Sequence, residues 1–428
     1  MKYFILALFI LTYVLIIAFT KYKVIISMVS ATVMAVSLLI KGDLTGGTLF
    51  SAIDFNVVLM LFGIMLTVGF FTESNMPNKL ADKLVSKLPN LLVTIVLISV
   101  LSGFISAFID NVATVMMLAP IGLAICRKTE ISPVPVIIAI AVSSNLQGAA
   151  TLVGDTTSIM LGAFADMSFV DFFFIGGKVS IFWAVELGAL LTIPVLILVF
   201  RKHNKKMLYV ADDIKVTSIV PTIMLLLTIL LLVVFSFVPE KPAITNGLIC
   251  TVIGVICAVY YMLKFKVKSV KKFASYIDFE TIFFLVFLFI IIACVECVGI
   301  IDDLANVFVS IGNKNVFLLY TLIVFGSVLI SAFIDNIPYV ATMLPVIAGL
   351  ASGLPTVSPN LLYFGLLCGA TLGGNITPVG ASANIVGIGI LRKEGYEVKV
   401  KDFLKIGLPF TLVAVLGAYV LNWFVWGI

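Results

Sequence analysis

The stretch Ser106-Ala-Phe-Ile-Asp110-Asn111 returns letter for letter as Ser331-Ala-Phe-Ile-Asp335-Asn336, a shift of 225 positions. Pro120 and Pro345 keep that shift. Downstream, Thr151-Leu-Val-Gly154 aligns with Thr377-Pro-Val-Gly380 at 226; upstream, Ile53-Asp54-Phe55 aligns with Ile277-Asp278-Phe279 at 224. Self-similarity on this scale marks a duplicated architecture. It covers most of each half and changes over in the polar linker Arg201–Val216, which divides the chain into repeats 1–205 and 206–428 of one body.

Composition names the medium. Hydrophobic residues make up 62% of the 428 positions and charged residues 11%, against ~45–50% and ~25% in soluble domains. So few charges cannot cover a globular surface, and the chain reads as a polytopic membrane protein with a single membrane domain. Its net charge of +5 then reports orientation rather than nucleic-acid binding. Six Cys and one His supply neither a disulfide framework nor a zinc cage, and His203 lies in a basic linker with no role. No cofactor is expected. A primary pump in one chain is excluded, because there is no Gly-x-x-x-x-Gly-Lys-[Ser/Thr] and no soluble segment able to hold a nucleotide-binding domain; a separate ATPase partner stays open.

Apolar runs predict helices at Tyr3–Phe19, Val24–Ile40, Ile53–Thr72, Ile131–Asp166, Gly176–Phe200, Thr217–Val238, Ala243–Leu263, Asp278–Cys297, Pro359–Arg392 and Phe403–Trp426. Most match the ~20 residues that a ~30 Å hydrocarbon core requires. The first run starts too near residue 1 for a basic leader and lacks a small-x-small site, so a removed signal peptide is not expected. Ile131–Asp166 and Pro359–Arg392 are too long for one straight helix, and each carries a Gly/Thr/Asn-rich break. Leu91–Cys126 and Val316–Leu350 are interrupted by the Asp-Asn pairs, and periodicity leaves open whether each crosses twice or re-enters as a hairpin. Lys79–Lys87 is amphipathic and reads as a helix on the membrane interface.

Each half holds five crossings, or seven if the hairpins span. Both numbers are odd, so the halves insert with opposite topology. Of the 27 Lys and Arg, 22 fall on the side opposite the amino terminus; Lys2, Lys41, Lys178, Lys241 and Lys314 fall with it. The positive-inside bias makes the crowded side cytoplasmic and both termini extracytoplasmic. Inverted repeats with interrupted helices mark secondary transporters, whose sites form between the halves near the midplane.

Two constellations carry the chemistry. Asp110-Asn111 and Asp335-Asn336 lie between apolar segments, where an ionisable group is costly unless it lines water, protein or an ion site. A turn is the plain alternative for Asp-Asn, and identity of both copies argues against it. The second runs Gln147-Gly148-Ala-Ala-Thr151-Leu-Val-Gly154-Asp155-Thr156-Thr157-Ser158 and matches Gly373-Gly374-Asn375-Ile-Thr377-Pro-Val-Gly380-Ala381-Ser382-Ala-Asn384. Gly and Pro unwind the helix, freeing carbonyls for a cation and a half-helix amino terminus for an anion or polar group, while Thr, Ser and Asn add neutral ligands. Asp155 faces Ala381 in the alignment, so one half alone has a titratable group there. The expected ion- and substrate-binding set is Asp110, Asn111, Thr114, Gly148, Thr151, Gly154, Asp155, Thr156, Asp335, Asn336, Gly374, Asn375, Thr377, Gly380, Ser382 and Asn384, with sodium at Asp110, Asn111, Asp335 and Asn336. Glu186 reads as a buried interhelical acid ahead of a proton relay, and Cys294-Val-Glu-Cys297 as packing ahead of a redox pair.

The two Ser-Ala-Phe-Ile-Asp-Asn elements, Gly148-Ala-Ala-Thr-Leu-Val-Gly154 and Gly373–Asn384 resemble the ion-transporter superfamily over nearly the whole chain. Within it they resemble the branch of arsenical-pump permeases, NhaD-type sodium–proton antiporters and the pink-eyed-dilution protein. The resemblance implies two inverted repeats of five spans, each with a re-entrant hairpin and a broken helix. Related dicarboxylate and citrate carriers have Ser-Asn-Thr at the tips, and Asp-Asn here disfavours a bare carboxylate substrate. The chain also lacks the additional first helix of the dicarboxylate branch.

The expected function is gradient-coupled secondary transport by alternating access, either arsenite or metalloid export or sodium–proton exchange. A dicarboxylate, citrate or other anion permease is the alternative, and a passive channel a remoter one. An intramembrane aspartyl protease fits poorly: Leu152 replaces the first Gly of Gly-x-Gly-Asp and no Tyr-Asp partner exists. The expected partners are the bilayer, a proton or sodium, a small ionic or polar substrate and, as an open option, a second copy in a homodimer, in the plasma membrane.

Overall fold

The structure is a computed structural model that describes residues 1–207, 214–266, 270–312, 315–354 and 357–428. Apolar sequence becomes helix because every backbone N–H and C=O in hydrocarbon needs a partner inside the protein. The first half runs α1 (Lys2–Ala18), α2 (Lys23–Lys41), α3 (Gly46–Ser51), α4 (Phe55–Glu73) and α5 (Met76–Val85). It continues with α6 (Leu91–Ser106), α7 (Asn111–Thr129), α8 (Pro133–Gln147), α9 (Thr156–Phe164) and α10 (Ile181–Phe200). The second half opens with α11 (Val220–Ser236), α12 (Thr245–Phe265), α13 (Val270–Ala274), α14 (Phe279–Cys297) and α15 (Ile300–Gly312). It closes with α16 (Val316–Ser331), α17 (Asn336–Gly353), α18 (Pro359–Gly373), α19 (Ser382–Lys393) and α20 (Val400–Trp426). Among the described residues, eight of these helices are long and apolar enough to cross a membrane: α2, α4, α7, α10, α12, α14, α17 and α20.

Helices in the second half follow the order of the first, and their capping chemistry recurs with them. Asp54 and Asp278 accept from the amides of Val57 and Thr281 at 3.0 Å, capping α4 and α14. Asn90 and Asn315 cap α6 and α16 through Val93 and Leu318 at 3.2 and 3.1 Å. Asp110 and Asp335 cap α7 and α17. Each cap satisfies an amide the helix cannot pair internally. Packing is reciprocal: α4 lies along α12 while α2 lies along α14, and α10 pairs with α20.

Several expected spans are redrawn. Ile131–Asp166 and Pro359–Arg392 each resolve into two helices, α8 with α9 and α18 with α19, around the breaks at 148–155 and 374–381. Leu91–Cys126 and Val316–Leu350 are helix pairs that meet at Asp110 and Asp335. The run expected as helix from Gly176 begins instead as a hairpin, β1 (Phe174–Ile175) with β2 (Lys178–Val179), and α10 starts at Ile181. Gly176 and Gly177 take φ of +57° and +79° to turn it, a region open to glycine at little cost. The amphipathic helix expected at Lys79–Lys87 starts earlier, at Met76, burying Ala81 and Val85. Its second-half counterpart α15, with Ile300 and Ile301 buried beside exposed Asp303, was missed in the sequence. Lys268 and Lys314 lie outside the described residues.

Small residues set the closest helix crossing. A Cβ added at Gly63 on α4 would sit 2.1 Å from the Cys250 carbonyl carbon on α12, and one at Gly254 would sit 2.8 Å from the Gly63 oxygen. Glycine lets two backbones touch, and this close packing holds the pair where lipid supplies no hydrophobic drive to bring helices together. Gly63→Ala is therefore expected to destabilise by about 1–3 kcal/mol, the usual range for overpacking. Thermal unfolding in detergent reads this against Gly326→Ala, where the new Cβ meets nothing within 4 Å.

Candidate transport site

The broken helices are held by the hairpin turns beside them. The Thr151 hydroxyl donates to the Ala107 carbonyl and, in the second half, Thr377 donates to Ala332. Ser158 donates to the Gly148 carbonyl at 3.1 Å, and Asn384, its counterpart, donates to the Gly374 carbonyl at 3.0 Å and the Thr377 carbonyl at 3.1 Å. Gly154 and Gly380 share one environment: a Cβ on either would lie 2.6 Å from the carbonyl of Gly148 or Gly374, and 2.9 Å from that of Ala107 or Ala332. The Gly148, Gly374 and Thr377 carbonyls lie at the helix breaks and those of Ala107 and Ala332 at the adjacent hairpin turns, and the protein itself pairs them.

Between the halves lies a buried amide cluster. Asn145 Nδ2 donates to the Thr371 carbonyl at 2.7 Å and to Asn375 Oδ1 at 3.1 Å; Asn375 Nδ2 returns a bond to the Val142 carbonyl at 2.8 Å. Asn111 Nδ2 donates to Asn145 Oδ1 at 3.1 Å, which ties the first hairpin turn into the same cluster. Asp155 joins it to the second turn. Its carboxylate accepts from the Thr156 amide at 2.8 Å, the Thr157 hydroxyl at 3.2 Å and Asn336 Nδ2 at 3.2 Å. Thr157 also touches the Thr371 hydroxyl at 3.2 Å.

A cavity of about 610 Å³ reaches this cluster. Of the residues expected at the site, Asp110, Asn111, Asp155, Thr156, Asn336 and Ser382 line it. Lys23, Glu73, Lys272 and Asp278 line it as well, with Lys272 and Glu73 in an ion pair. Thr114, Gly148, Thr151, Gly154, Gly374, Asn375, Thr377, Gly380 and Asn384 stand outside the lining, and the polar side chains among them bond within the protein. Asp335 is not in the lining either; its carboxylate lies 3.9 Å from Lys23 Nζ. Among the described residues no group of three or more His, Cys, Asp or Glu is arranged to hold a metal. Asn145, Lys23 and Asp278 are functional candidates that motif reading missed. Asp278 left a signal in the repeated Ile-Asp-Phe, and Asn145 left one as the end of a polar Ser143-Ser144-Asn145 run ahead of the break.

A second cavity, of about 190 Å³, is lined by residues at the matching places of the other half. Asp278, Thr281, Val68 and Met116 line the larger cavity; Asp54, Val57, Ile292 and Ala341 line the smaller. Glu186 lies apart from both, in a void of about 50 Å³ with Gln147, and one oxygen of each side chain lacks a hydrogen-bond partner. Cys294 is buried, Cys297 exposed, and both are free thiols.

A model of the citrate transporter family, CitMHS, matches residues 13–369. The chain belongs to that family. A 46 kDa membrane protein of Mycobacterium leprae is 28% identical over 97% of this chain and 96% of its own length. The P protein of Homo sapiens is 23% identical over 94% of this chain and 57% of its own length. Among solved structures, the YdaH transporter of Alcanivorax borkumensis superposes with a TM-score of 0.62 at 16% identity, covering 91% of this chain and 88% of that one. MtrF of Neisseria gonorrhoeae follows at 0.56 and 14% identity, over 86% and 80%. The likeness to both is one of fold. The chain is thus a multi-pass membrane transporter and not an enzyme.

Asn145 is the hub of the buried cluster, so Asn145→Ala orphans the Thr371 carbonyl and the amide of Asn111 together. An orphaned buried polar group costs about 1–3 kcal/mol. Thermal unfolding of the variant should show a loss of that order, while Thr157→Ala, which leaves the Asn pair intact, should lose less.

Proposed function

We propose that the chain is an ion-gradient-coupled secondary transporter working by alternating access, with a cation, a proton or a neutral polar solute bound at the Asp110–Asp155 cavity. Sodium–proton exchange and export of arsenite or a related metalloid are the cargo patterns that suit it. The observation that carries this reading is the acidic lining: Asp110, Asp155, Asp278 and Glu73 against Lys23 and Lys272. Carboxylates in low dielectric attract cations and repel bare anions. The family match favours a second reading, a carboxylate cargo. On the same electrostatics, that cargo enters protonated or accompanied by a cation.

Unequal cavities at matching places of the two repeats support alternating access over an open channel. An inverted pair of repeats turns the two cavities into the two ends of one path, of which one is open at a time. The moving unit on this reading is both hairpins with both broken helices, sliding against the remaining spans. Its parts cohere: α7 and α8 pack on α19, and α17 on α9.

Orientation follows the charge bias, with both termini outside the plasma membrane and the larger cavity facing the cytoplasm. Ion pairs agree with the count. Arg127 with Glu394 and Lys272 with Glu73 join segments assigned to one side, and Lys2 with Asp303, at 2.7 Å, joins segments assigned to the other.

The test is a thermal-shift panel with sodium, lithium, arsenite, antimonite, citrate, succinate, sulfate and phosphate at two pH values, citrate also with a divalent cation. A ligand at a hundred times its Kd adds ~2.7 kcal/mol. Asp110→Asn is expected to abolish coupled flux in proteoliposomes while expression persists; wild-type flux in that variant removes Asp110 from the mechanism.

The sliding unit is tested separately. Thr72 Oγ1 on α4 lies 3.5 Å from Met117 Sδ on α7. A disulfide between cysteines at these positions should stop turnover and reduction should restore it. Unchanged turnover in the crosslinked protein argues for a small gating motion instead.

A further inference from the structure

Two identical turns supply two carboxylates, Asp110 and Asp335, and duplication alone makes them equal cation sites. Their neighbours do not. Lys23 Nζ lies 3.9 Å from Asp335 Oδ2, and the two side chains are 19% and 26% exposed. The same ammonium sits 5.5 Å from the centroid of the Phe284 ring on α14, a cation–π contact that orients the lysine from its other side. Lys23 opens α2, and α2 packs along α14, which in turn packs on α17 behind Asp335. The helix in the matching place of the other half, α12, carries no charge in its opening turn, Thr245-Asn246-Gly247-Leu248. Among the described residues no lysine or arginine lies within 4 Å of the Asp110 carboxylate, which caps α7 through Ala113 and faces the larger cavity with Asp155, Asp278, Glu73 and Lys272.

We propose that Lys23 is a tethered cation that occupies the Asp335 carboxylate, so that the two hairpin turns offer a mobile cation one site, at Asp110, rather than two. The inference rests on the cation reading of the cavity. Lys23 itself lines that cavity and Asp335 stands just outside the lining, so a mobile cation that reaches the Asp335 carboxylate from the cavity has to displace the tethered ammonium. At 3.9 Å the pair is long for an ion pair, and a contact this loose can exchange. Lys23 belongs to a span outside the sliding unit and Asp335 to the unit itself, so the pair forms only where the unit brings that turn beside α2. The second-half turn is thereby neutralised without cargo in the state with the larger cavity open. Among the described residues no lysine does the same for Asp110 in the first half.

The experiment titrates purified full-length protein with sodium chloride and with lithium chloride, balanced with choline chloride to constant ionic strength, and follows the thermal midpoint. A Hill slope cannot exceed the number of sites, so wild type is expected at a slope near one. Removing the ammonium by Lys23→Gln, or by Lys23→Met, which keeps the apolar stem over Phe284, is expected to raise the slope toward two or to move the response several-fold lower in cation. Adding Asp335→Asn to either variant should return the wild-type curve, and Lys23→Arg should stay on it. Curves for Lys23→Gln and Lys23→Met that superimpose on a responding wild type overturn the role of Lys23 and leave the cation reading standing. A gain that survives the added Asp335→Asn overturns it too, since the new site is then not the Asp335 carboxylate. No response to either cation in wild type or any variant overturns the cation reading, and the tethered cation with it.

Discussion

A helix broken inside hydrocarbon releases carbonyls and amides that water cannot reach, and the centre of this transporter is organised around pairing them. Thr151 and Thr377 reach from each break to the adjacent hairpin turn, and Ser158 and Asn384 close each break on itself. Gly154 and Gly380 make room, because any side chain there would strike three carbonyl oxygens at once. An unpaired group at this depth would cost several kcal/mol. Turn and break are therefore held together as one piece, and groups placed on that piece, Asp110, Asp155 and Asn336, move with it or not at all.

At the helix breaks the two halves are joined by amides rather than by ion pairs. Asn145 and Asn375 bridge the breaks with donors and acceptors that need no counter-ion, so the contact stays neutral whatever the cavity holds. The ion pairs between the halves lie away from the breaks, at the cavity wall and at the helix ends. Asp155 belongs to both systems, capping α9 while accepting from Asn336 of the opposite half.

Duplication supplies pairs of everything, and the asymmetry of the proposed site comes from where the pairs differ. Asp155 has Ala381 as its counterpart, Lys23 has the uncharged opening turn of α12, and Ser158 has Asn384. The scaffold contacts stay equivalent, as the shared caps and the reciprocal α4–α12 and α2–α14 packing show. A carrier that must populate two states needs them close in free energy. Near-equal repeats meet that need, while a few unequal side chains leave room for chemistry on one side only.

Reading the sequence was enough for the membrane class, the helix breaks and the duplicated Asp-Asn turns, because hydropathy, glycine and proline act locally and the repeat is written in the residues themselves. Residue numbers 110, 111, 155, 156, 336 and 382 were legible as cavity positions for the same reason. The ends of helices were less so: the hairpin before α10 is apolar enough to pass for helix, and only the positive φ of Gly176 and Gly177 distinguishes it. Motif spacing also counted Thr151, Thr377 and Asn384 as ligands, whereas the two hydroxyls and the Asn384 amide nitrogen serve the backbone. Asn145 and Lys23 lie outside both repeated motifs, and their importance comes from contacts some two hundred to three hundred residues away along the chain. Periodicity reports what a residue faces within its own helix. Which carboxylate a lysine meets depends on how the helices cross, and that is set by long-range packing that no local pattern encodes.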